Sequence, residues 1–298
     1  KLGRGRGTMM LRLVVALAAL SGASSFRLAS SLVGPQRTQG LAPRRMCAPR
    51  SLQMSIAVFG ATGGVGSEVV YQTLAKGEAV TCLVRDKARL NIPEGSGGAQ
   101  AGQPISGAHV VQGTVTSQSD VDSVFEGQDV TGVVVALGGK TKDVGPTMLT
   151  DGTTCIVNAC KKYGVKRIAV VTSIGAGDSE NQAPFFFKML MWTVMKGIFE
   201  DKNNQEALFL GPGGIGKDLE FCVVRPGGLN LEPPNGIVNV IDGEAGSIAR
   251  ADVADFCMKA VSDADFPYIG KSPCISSDKG TSWTKDRTAA TQGDRVSN

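Results

Sequence analysis

A glycine-rich turn after a short apolar run is the segment best suited to chemistry. In SIAVFGATGGVG, the glycines Gly60, Gly63 and Gly66 are evenly spaced between a predicted strand and a predicted helix. In this layout the first glycine permits a tight turn, the second lets the backbone approach a pyrophosphate, and the third lets the helix pack on the strand. The context favours a dinucleotide site over a turn that binds nothing.

The next predicted strand, AVTCLVRD, ends in a cation. An acid at this position would bind the ribose 2′-OH of NAD, whereas Arg85 would accommodate the 2′-phosphate of NADP. Lys87 and Arg89 add positive charge nearby, and arginine makes strong charge-assisted hydrogen bonds to phosphate. We therefore predict NADP(H) as the cofactor, with a solvated strand end that binds no phosphate as the alternative.

The wider pattern predicts the fold. Short apolar runs alternate with amphipathic segments from Ser55 onward, which indicates an α/β fold with a doubly wound, mostly parallel sheet, the Rossmann fold. Residues 54–277 are predicted to form a single NAD(P)-binding domain, in which residues 91–108 are a surface loop and residues 184–210 are helical. Residues 278–298 are predicted to be a polar C-terminal tail.

Residues 1–53 differ from the rest of the chain in charge. They hold nine of the 31 basic residues and no acid, which leaves 22 basic and 27 acidic residues elsewhere, a net charge of −5. This mildly acidic body argues against nucleic acid as a partner. The apolar run LVVALAAL and the Arg- and Ser-rich stretch after it predict a targeting presequence, a signal plus a transit-like segment. We expect the plastid of an alga with a bipartite presequence, with the secretory pathway as the alternative, and no transmembrane segment in the mature chain.

Metal and disulfide chemistry have little support in the sequence. The seven cysteines include no CxxC pair, and most are predicted to be buried thiols. The lone His109 makes a His-based zinc site implausible, so no metal site is predicted.

Four motifs, GATGGVG, VRD, TSIGAG and VRPGGL, occur in order between Ser55 and Ser277. Together they resemble the atypical short-chain dehydrogenase/reductase family, in particular the NAD(P)-binding proteins similar to biliverdin reductase B/flavin reductase and the NmrA-like proteins. The resemblance implies that the cofactor contacts lie at the carboxyl ends of the strands. On the adenine and phosphate side these contacts are the pyrophosphate loop of Gly60, Thr62, Gly63, Gly64, Val65 and Gly66, with Arg85 at the 2′-phosphate. Ala136, Leu137 and Gly138 would lie along the adenine-side ribose and the nicotinamide. Thr172, Ser173 and Ile174 would face the nicotinamide, and Arg225, Pro226, Gly227 and Gly228 would close over that end.

The chain departs from the family's usual catalytic pattern. Reductases of the superfamily use a serine and a tyrosine four residues before a lysine, and the tyrosine protonates a carbonyl. Here Ser173 matches the serine and Lys202 the lysine, so these two are the catalytic candidates, but Ile198 stands where the tyrosine belongs. Alternatively, Lys202 forms an i,i+4 salt bridge to Glu206, and Ser173 only caps the strand end.

The sequence is compatible with two functions. The first is an NADP(H)-dependent oxidoreductase that passes hydride to a flat small-molecule acceptor such as a quinone, flavin or tetrapyrrole, for which no tyrosine is needed. The segment APFFFKMLMWTVMKGIF would then be an aromatic wall; otherwise it is a packed helix, or an apolar face for a membrane or partner. The second function is a non-catalytic NADP(H)-binding redox sensor or assembly protein with a plastid protein partner. We expect a monomer in either case.

Overall fold

The apolar runs of the sequence form the strands of one large sheet. The computed structural model describes residues 54–139, 145–183, 185–240, 246–277 and 294–297. Its strands are β1 (Ser55–Phe59), β2 (Ala79–Val84), β3 (His109–Gln112), β4 (Gly132–Val135), β5 (Arg167–Val171), β6 (Glu220–Pro226), β7 (Gly228–Asn230), β8 (Ile237–Val240), β9 (Ser247–Ala249), β10 (Cys274–Ser277) and β11 (Asp294–Ser297). Its helices are α1 (Gly64–Ala75), α2 (Glu94–Gly97), α3 (Gln118–Phe125), α4 (Met148–Tyr163), α5 (Phe185–Thr193), α6 (Lys196–Leu210) and α7 (Arg250–Ser262).

The strand order confirms the doubly wound fold. The main sheet runs β11-β8-β10-β6-β5-β4-β1-β2-β3, and β7 pairs with β9 in a small parallel sheet. The strands from β10 to β3 are parallel, whereas β8 and β11 are antiparallel additions at one edge. The order reverses between β1 and β4, and sheets of this type bind ligands outside the carboxyl ends of the strands at that point.

The central strands are buried on both faces of the sheet. Along β1, Ile56 and Val58 pack in the hydrophobic cluster that includes α1 and α7, whereas Ala57 and Phe59 pack in the cluster that includes α3 and α4. Successive side chains of a strand point to opposite faces, so an unbroken apolar run is what a two-sided core requires. Within the described residues, no helix combines the length and hydropathy needed to cross a membrane.

Three regions differ from the sequence prediction. The stretch predicted as one helical region, residues 184–210, contains two helices, α5 and α6, with Val194 and Met195 between them. Val194 is β-branched and 78% exposed, so neither its helix propensity nor its packing favours a continuous helix there. The predicted loop 91–108 holds the short helix α2. The predicted polar tail contributes β11, which pairs with β8, while the other tail residues and residues 1–53 lie outside the described residues.

Candidate cofactor site and active site

Two glycines of the pyrophosphate loop are required by close backbone packing. Gly60 has φ +89°, and a Cβ there would lie 2.2 Å from the carbonyl oxygen of Ala136. A Cβ on Gly66 would lie 2.2 Å from the carbonyl oxygen of Gly60. The amide of Gly63 donates to the Gly60 carbonyl at 2.9 Å and closes the turn. The turn therefore holds the start of α1 against the ends of β1 and β4.

The N-terminus of α1 fits an anionic group. Gly63 is the N-cap residue in an extended conformation, no side chain caps the helix, and the first turn carries no acid. Thr62 is half-buried, whereas Gly63 and Gly64 are exposed and Val65 is buried. Uncapped N–H groups and the helix dipole at an exposed helix start attract phosphate. The loop thus fits a pyrophosphate, although its role as the binding site stays a prediction.

A cation that the motifs did not indicate lies beside this loop. A Cβ on Gly64 would lie 2.6 Å from both Cδ and Nε of Arg250, so the arginine side chain lies beside the exposed glycine. Arg250 is the first residue of α7, near the other end of the domain. No short-range spacing connects it to the loop, and only the fold brings the two together.

Arg85 lies exposed just after β2. Its carbonyl oxygen accepts a hydrogen bond from Gln112 Nε2 at 3.3 Å, which fixes the backbone at the strand end. The neighbouring Asp86 carboxylate accepts the amide N–H of Ala88 at 3.0 Å and caps the turn over Lys87–Arg89. The Asp86 carboxylate is therefore engaged within its own turn. The Arg85 guanidinium is the group available to bind a phosphate on the ribose.

The end of β4 lies beside the glycine loop. The amide of Ala136 donates to the Phe59 carbonyl at 2.8 Å, and half-buried Leu137 packs against the cluster that includes α3 and α4. Gly138 lines a cavity of about 110 Å³ together with Ile198 and Lys202. The structure therefore brings the residue in the tyrosine position and the predicted lysine together next to the end of β4.

Lys202 is bound to the end of β5. Its ammonium donates to the carbonyl oxygen of Thr172 at 3.1 Å, directly before Ser173. Burial lowers the pKa of Lys202 to about 8, although the carboxylates of Glu206 and Asp201 oppose this shift. The Ser173 hydroxyl donates to the carbonyl oxygen of Ile174 at 3.0 Å, a local bond of the kind expected of a strand-end serine.

Glu206 has partners other than Lys202. Its carboxylate accepts the Thr172 hydroxyl at 2.6 Å and binds Arg225 through Nη2 at 2.7 Å and Nε at 3.1 Å. Arg225 is only 3% exposed and also pairs with Asp178 at 2.6 Å. The Arg225 guanidinium, predicted to close over the nicotinamide end, is thus held by these carboxylates. This network holds Thr172 from its side chain while Lys202 holds its carbonyl.

Asp201 links the helix that carries Lys202 to the start of α4. The Asp201 carboxylate is buried and accepts the amide N–H groups of Leu149 at 2.8 Å and Thr150 at 3.0 Å, as well as the Thr150 hydroxyl at 2.6 Å. Thr147, the N-cap residue of α4, makes no side-chain cap of its own. A residue of α6 therefore caps α4, and this contact sets the position of Lys202.

A larger groove opens at the carboxyl ends of β5 and β6. It has a volume of about 500 Å³ and brings together most of the residues predicted at the nicotinamide end. These are Thr172, Ser173, Ile174, Pro226, Gly227 and Gly228. The sequence prediction missed the opposite wall, which is formed by Leu229, Asn230, Glu232 and Ser247, and it left the place of Phe187 open.

The aromatic segment has two kinds of surface. Phe187 lines the groove and also packs edge-on against Phe199, with ring centroids 5.9 Å apart. Met191 is buried, but Phe185 and Trp192 are 65% and 60% exposed. The segment is therefore partly core and partly groove wall, and it leaves an exposed apolar face on α5.

The tyrosines and several of the cysteines are held in the core or packed against other elements. Tyr163 stacks on Phe125, Tyr268 packs against Phe256, and Tyr71 lies on α1. Burial raises the pKa values of the Cys82, Cys160 and Cys222 thiols to about 12. In the described part of the chain, no three His, Cys, Asp or Glu side chains converge as a metal site requires.

Comparison with known proteins identifies the family. The family described as NAD(P)H-binding matches residues 60–264. An uncharacterized chloroplastic protein of Arabidopsis thaliana is 31% identical over 220 residues, which cover 69% of this chain and 71% of that protein. An uncharacterized sugar epimerase of Bacillus subtilis, YhfK, is 25% identical over 207 residues, which cover 67% of this chain and 85% of that protein.

Solved structures show the same fold. ChuY, an anaerobilin reductase from Escherichia coli O157:H7, is 21% identical and superposes with a TM-score of 0.56 over 77% of this chain and 100% of that one. The oxidoreductase ylbE from Lactococcus lactis is 19% identical, with a TM-score of 0.57 over 77% of this chain and 93% of that one. The chain therefore belongs to the NAD(P)H-binding family, and its resemblance to the atypical short-chain dehydrogenase/reductases is confirmed.

Proposed function

We propose that the protein is an NADP(H)-dependent oxidoreductase that passes hydride to a flat acceptor such as a quinone, a flavin or a tetrapyrrole. The observation that carries this proposal is the groove of about 500 Å³ beside Thr172, Ser173 and Ile174. It lies at the carboxyl ends of the strands, where proteins of this fold bind the reactive end of the cofactor. Phe187 and Leu229 give the groove apolar walls suited to a ring.

The chain's own residues would bind and orient the cofactor. The glycine loop would hold the pyrophosphate, Arg85 the 2′-phosphate, and Lys202 the hydroxyls of the nicotinamide ribose. When bound, the nicotinamide supplies the hydride, so the protein needs mainly to present one of its faces to the acceptor. Ser173 lies at the groove and would position the acceptor or the carboxamide by hydrogen bonding.

Ile198 favours a flat acceptor over a simple carbonyl. Carbonyl reduction in this superfamily relies on a tyrosine to donate the proton. Ile198 lines the cavity beside Lys202 and carries no proton to donate. A quinone, flavin or tetrapyrrole can take its proton from water, because the reduced ring delocalises the charge that hydride transfer delivers.

The relatives support this reading without deciding the acceptor. ChuY is named for a bilin reductase activity, which makes a tetrapyrrole one acceptor to test. The Arabidopsis relative is described as chloroplastic, which supports a plastid location for this chain. We propose import through the basic presequence of residues 1–53, with secretion as the alternative, and a monomeric mature protein.

The proposal is tested by NADPH oxidation in the presence of candidate acceptors. The chain starting at Met54 is loaded with NADPH, and absorbance at the reduced-nicotinamide band is followed as quinones, flavins and a bilin are added. We expect fast, saturable loss of absorbance with one class and a slower reaction with NADH. Background rates with every acceptor class, despite tight NADPH binding, would count against an enzyme.

A non-catalytic NADP(H)-binding protein is the second candidate. Two observations favour it: Ile198 in place of the catalytic tyrosine, and the exposed apolar side chains Phe185, Met189 and Trp192 on α5. Such a protein would bind a plastid partner with an affinity that depends on the cofactor. If a plastid protein is captured equally well with NADPH, with NADP⁺ and without cofactor, this second function is ruled out.

A further inference from the structure

We infer that Arg250 is a cofactor-binding residue that contacts the pyrophosphate beside Gly64 of the glycine loop, and that it links the phosphate site to the wall of the acceptor groove. This inference rests on the proposed NADP(H) function and adds a residue that none of the motifs contains. Cofactor binding would then also anchor the β7–β9 wall of the acceptor groove.

The position of Arg250 provides the first argument. The three atoms nearest to a Cβ on Gly64 all belong to the Arg250 side chain, namely Cδ and Nε at 2.6 Å and Cζ at 3.2 Å. Gly64 is the first residue of α1, where a phosphate would meet the free N–H groups. The guanidinium therefore lies within the reach of any anion bound at this helix start.

Electrostatics provides the second argument. Arg250 lies at the start of its own helix α7 and beside the start of α1, so its positive charge is close to the positive ends of two helix dipoles. Within the described residues, no carboxylate forms an ion pair with Arg250. A cation in this position is unfavourable by itself and becomes favourable when an anion lies between it and the helix ends.

The nearby carboxylates have other partners. Asp252 accepts the amide N–H groups of Asn235 and Gly236, each at 3.2 Å. Asp255 pairs with Lys76 and Lys259. Both acids follow Arg250 on α7, and the contacts described for them go to these partners and not to the guanidinium.

Arg250 is connected to the groove through the strand that precedes it. Arg250 follows β9 directly, and β9 pairs with β7 through Gly228 with Ser247 and Leu229 with Ile248. Gly228, Leu229 and Ser247 line the groove. Once Arg250 is bound to the pyrophosphate, the β7–β9 wall is anchored to the cofactor, so the acceptor should bind more tightly after NADPH than before it.

The test compares two ligands that share the adenosine 2′-phosphate. NADPH contains the pyrophosphate, whereas 2′-AMP does not, so Arg250→Gln should weaken NADPH binding about 10- to 100-fold and leave 2′-AMP within about two-fold. Arg85→Gln should weaken both ligands. Arg250→Lys, which keeps the charge, should recover part of the loss. Lys217→Gln removes an exposed cation just before β6, at the amino ends of the parallel strands and away from the glycine loop, and serves as the control.

Gly64→Ala provides a second measurement that retains the arginine. The new Cβ would displace the Arg250 side chain, so this variant should weaken NADPH binding in the wild-type background and have much less effect in an Arg250→Ala background. Both measurements use fluorescence titration, with circular dichroism to verify folding.

The outcomes separate this inference from the proposed function. Unchanged NADPH affinity in Arg250→Gln, equal losses for NADPH and 2′-AMP, or equal effects of Gly64→Ala in both backgrounds would overturn the role of Arg250 while leaving the cofactor site intact. Failure of the wild-type chain to bind either ligand would overturn the proposed function and this inference together.

Discussion

At the scale of single residues, the end of β5 is held from two directions by charged groups. Thr172 receives the Lys202 ammonium on its carbonyl and donates its hydroxyl to Glu206, which in turn binds Arg225. A buried ion pair contributes little net stability, but the loss of one partner leaves an uncompensated charge. The network therefore fixes Thr172, the residue directly before Ser173 at the groove.

Lys202 makes the stability of the fold depend on pH. Its pKa falls from 10.5 to about 8 on folding, so between these values the folded state binds fewer protons than the unfolded state. The free energy of unfolding should therefore rise from about pH 8 to pH 10.5 more steeply in the wild type than in Lys202→Met. Urea unfolding at several pH values measures this difference.

The exposed Lys196 on the same helix provides the control, because Lys196→Met should keep the wild-type pH dependence. Parallel curves for the wild type and Lys202→Met would contradict the prediction. They would mean that water reaches the Lys202 ammonium freely in the folded protein.

At the scale of elements, Asp201 couples two helices. Because its buried carboxylate accepts two backbone N–H groups and a hydroxyl at the start of α4, Asp201→Ala leaves these donors without an acceptor. We expect a loss of about 2–3 kcal/mol in the free energy of unfolding, measured by urea denaturation.

Glu200→Ala is the matched control for this cap. Glu200 is exposed on the same helix and forms a long ion pair of 3.7 Å with Lys196, so its removal should cost less than about 0.5 kcal/mol. Similar losses in the two variants would show that the cap contributes no more than a surface charge does.

The elements also show where sequence reasoning succeeds and fails. β1 and α1 are predictable because the apolar run, the glycine turn and the helix are contiguous in GATGGVG and its flanks. The three-residue strands β7 and β9 pair with each other across about twenty residues of sequence, and no local pattern encodes this pairing. The i,i+4 spacing offered a salt bridge between Lys202 and Glu206, but the Glu206 carboxylate forms its ion pair with Arg225 on β6. Arg250 has no local signal at all.

At the scale of the whole molecule, the strands that carry the glycine loop and Arg85 lie far from the antiparallel strands β8 and β11 in the sheet. The parallel strands β1, β2 and β3 carry the glycine loop and Arg85, whereas β8 and β11 lie at the far end of the strand order. The alternation of strands and helices made the parallel part predictable. The antiparallel edge was not, because β11 lies in a polar tail that gains its strand conformation only by pairing with β8.

Removal of the tail should therefore affect stability more than cofactor binding. A chain that ends at Ser277 loses β11 and leaves β8 with a free edge, so we expect the Tm to fall by about 2–4 °C for each kcal/mol lost. NADPH affinity should stay within about two-fold of the full chain, because β11 is an edge strand and β8, β10, β6, β5 and β4 lie between it and β1. Calorimetry and fluorescence titration check the two parts, and a large loss of affinity would contradict this separation.

The cap between α6 and α4 also constrains the order in which the chain can assemble. The first turn of α4 acquires its hydrogen-bond acceptor only when Asp201, about fifty residues further along the chain, has docked. The amide protons of Leu149 and Thr150 should therefore exchange slowly with solvent only while α6 is in place. These two amides would report, in an exchange experiment, each local opening that moves Lys202 away from the end of β5.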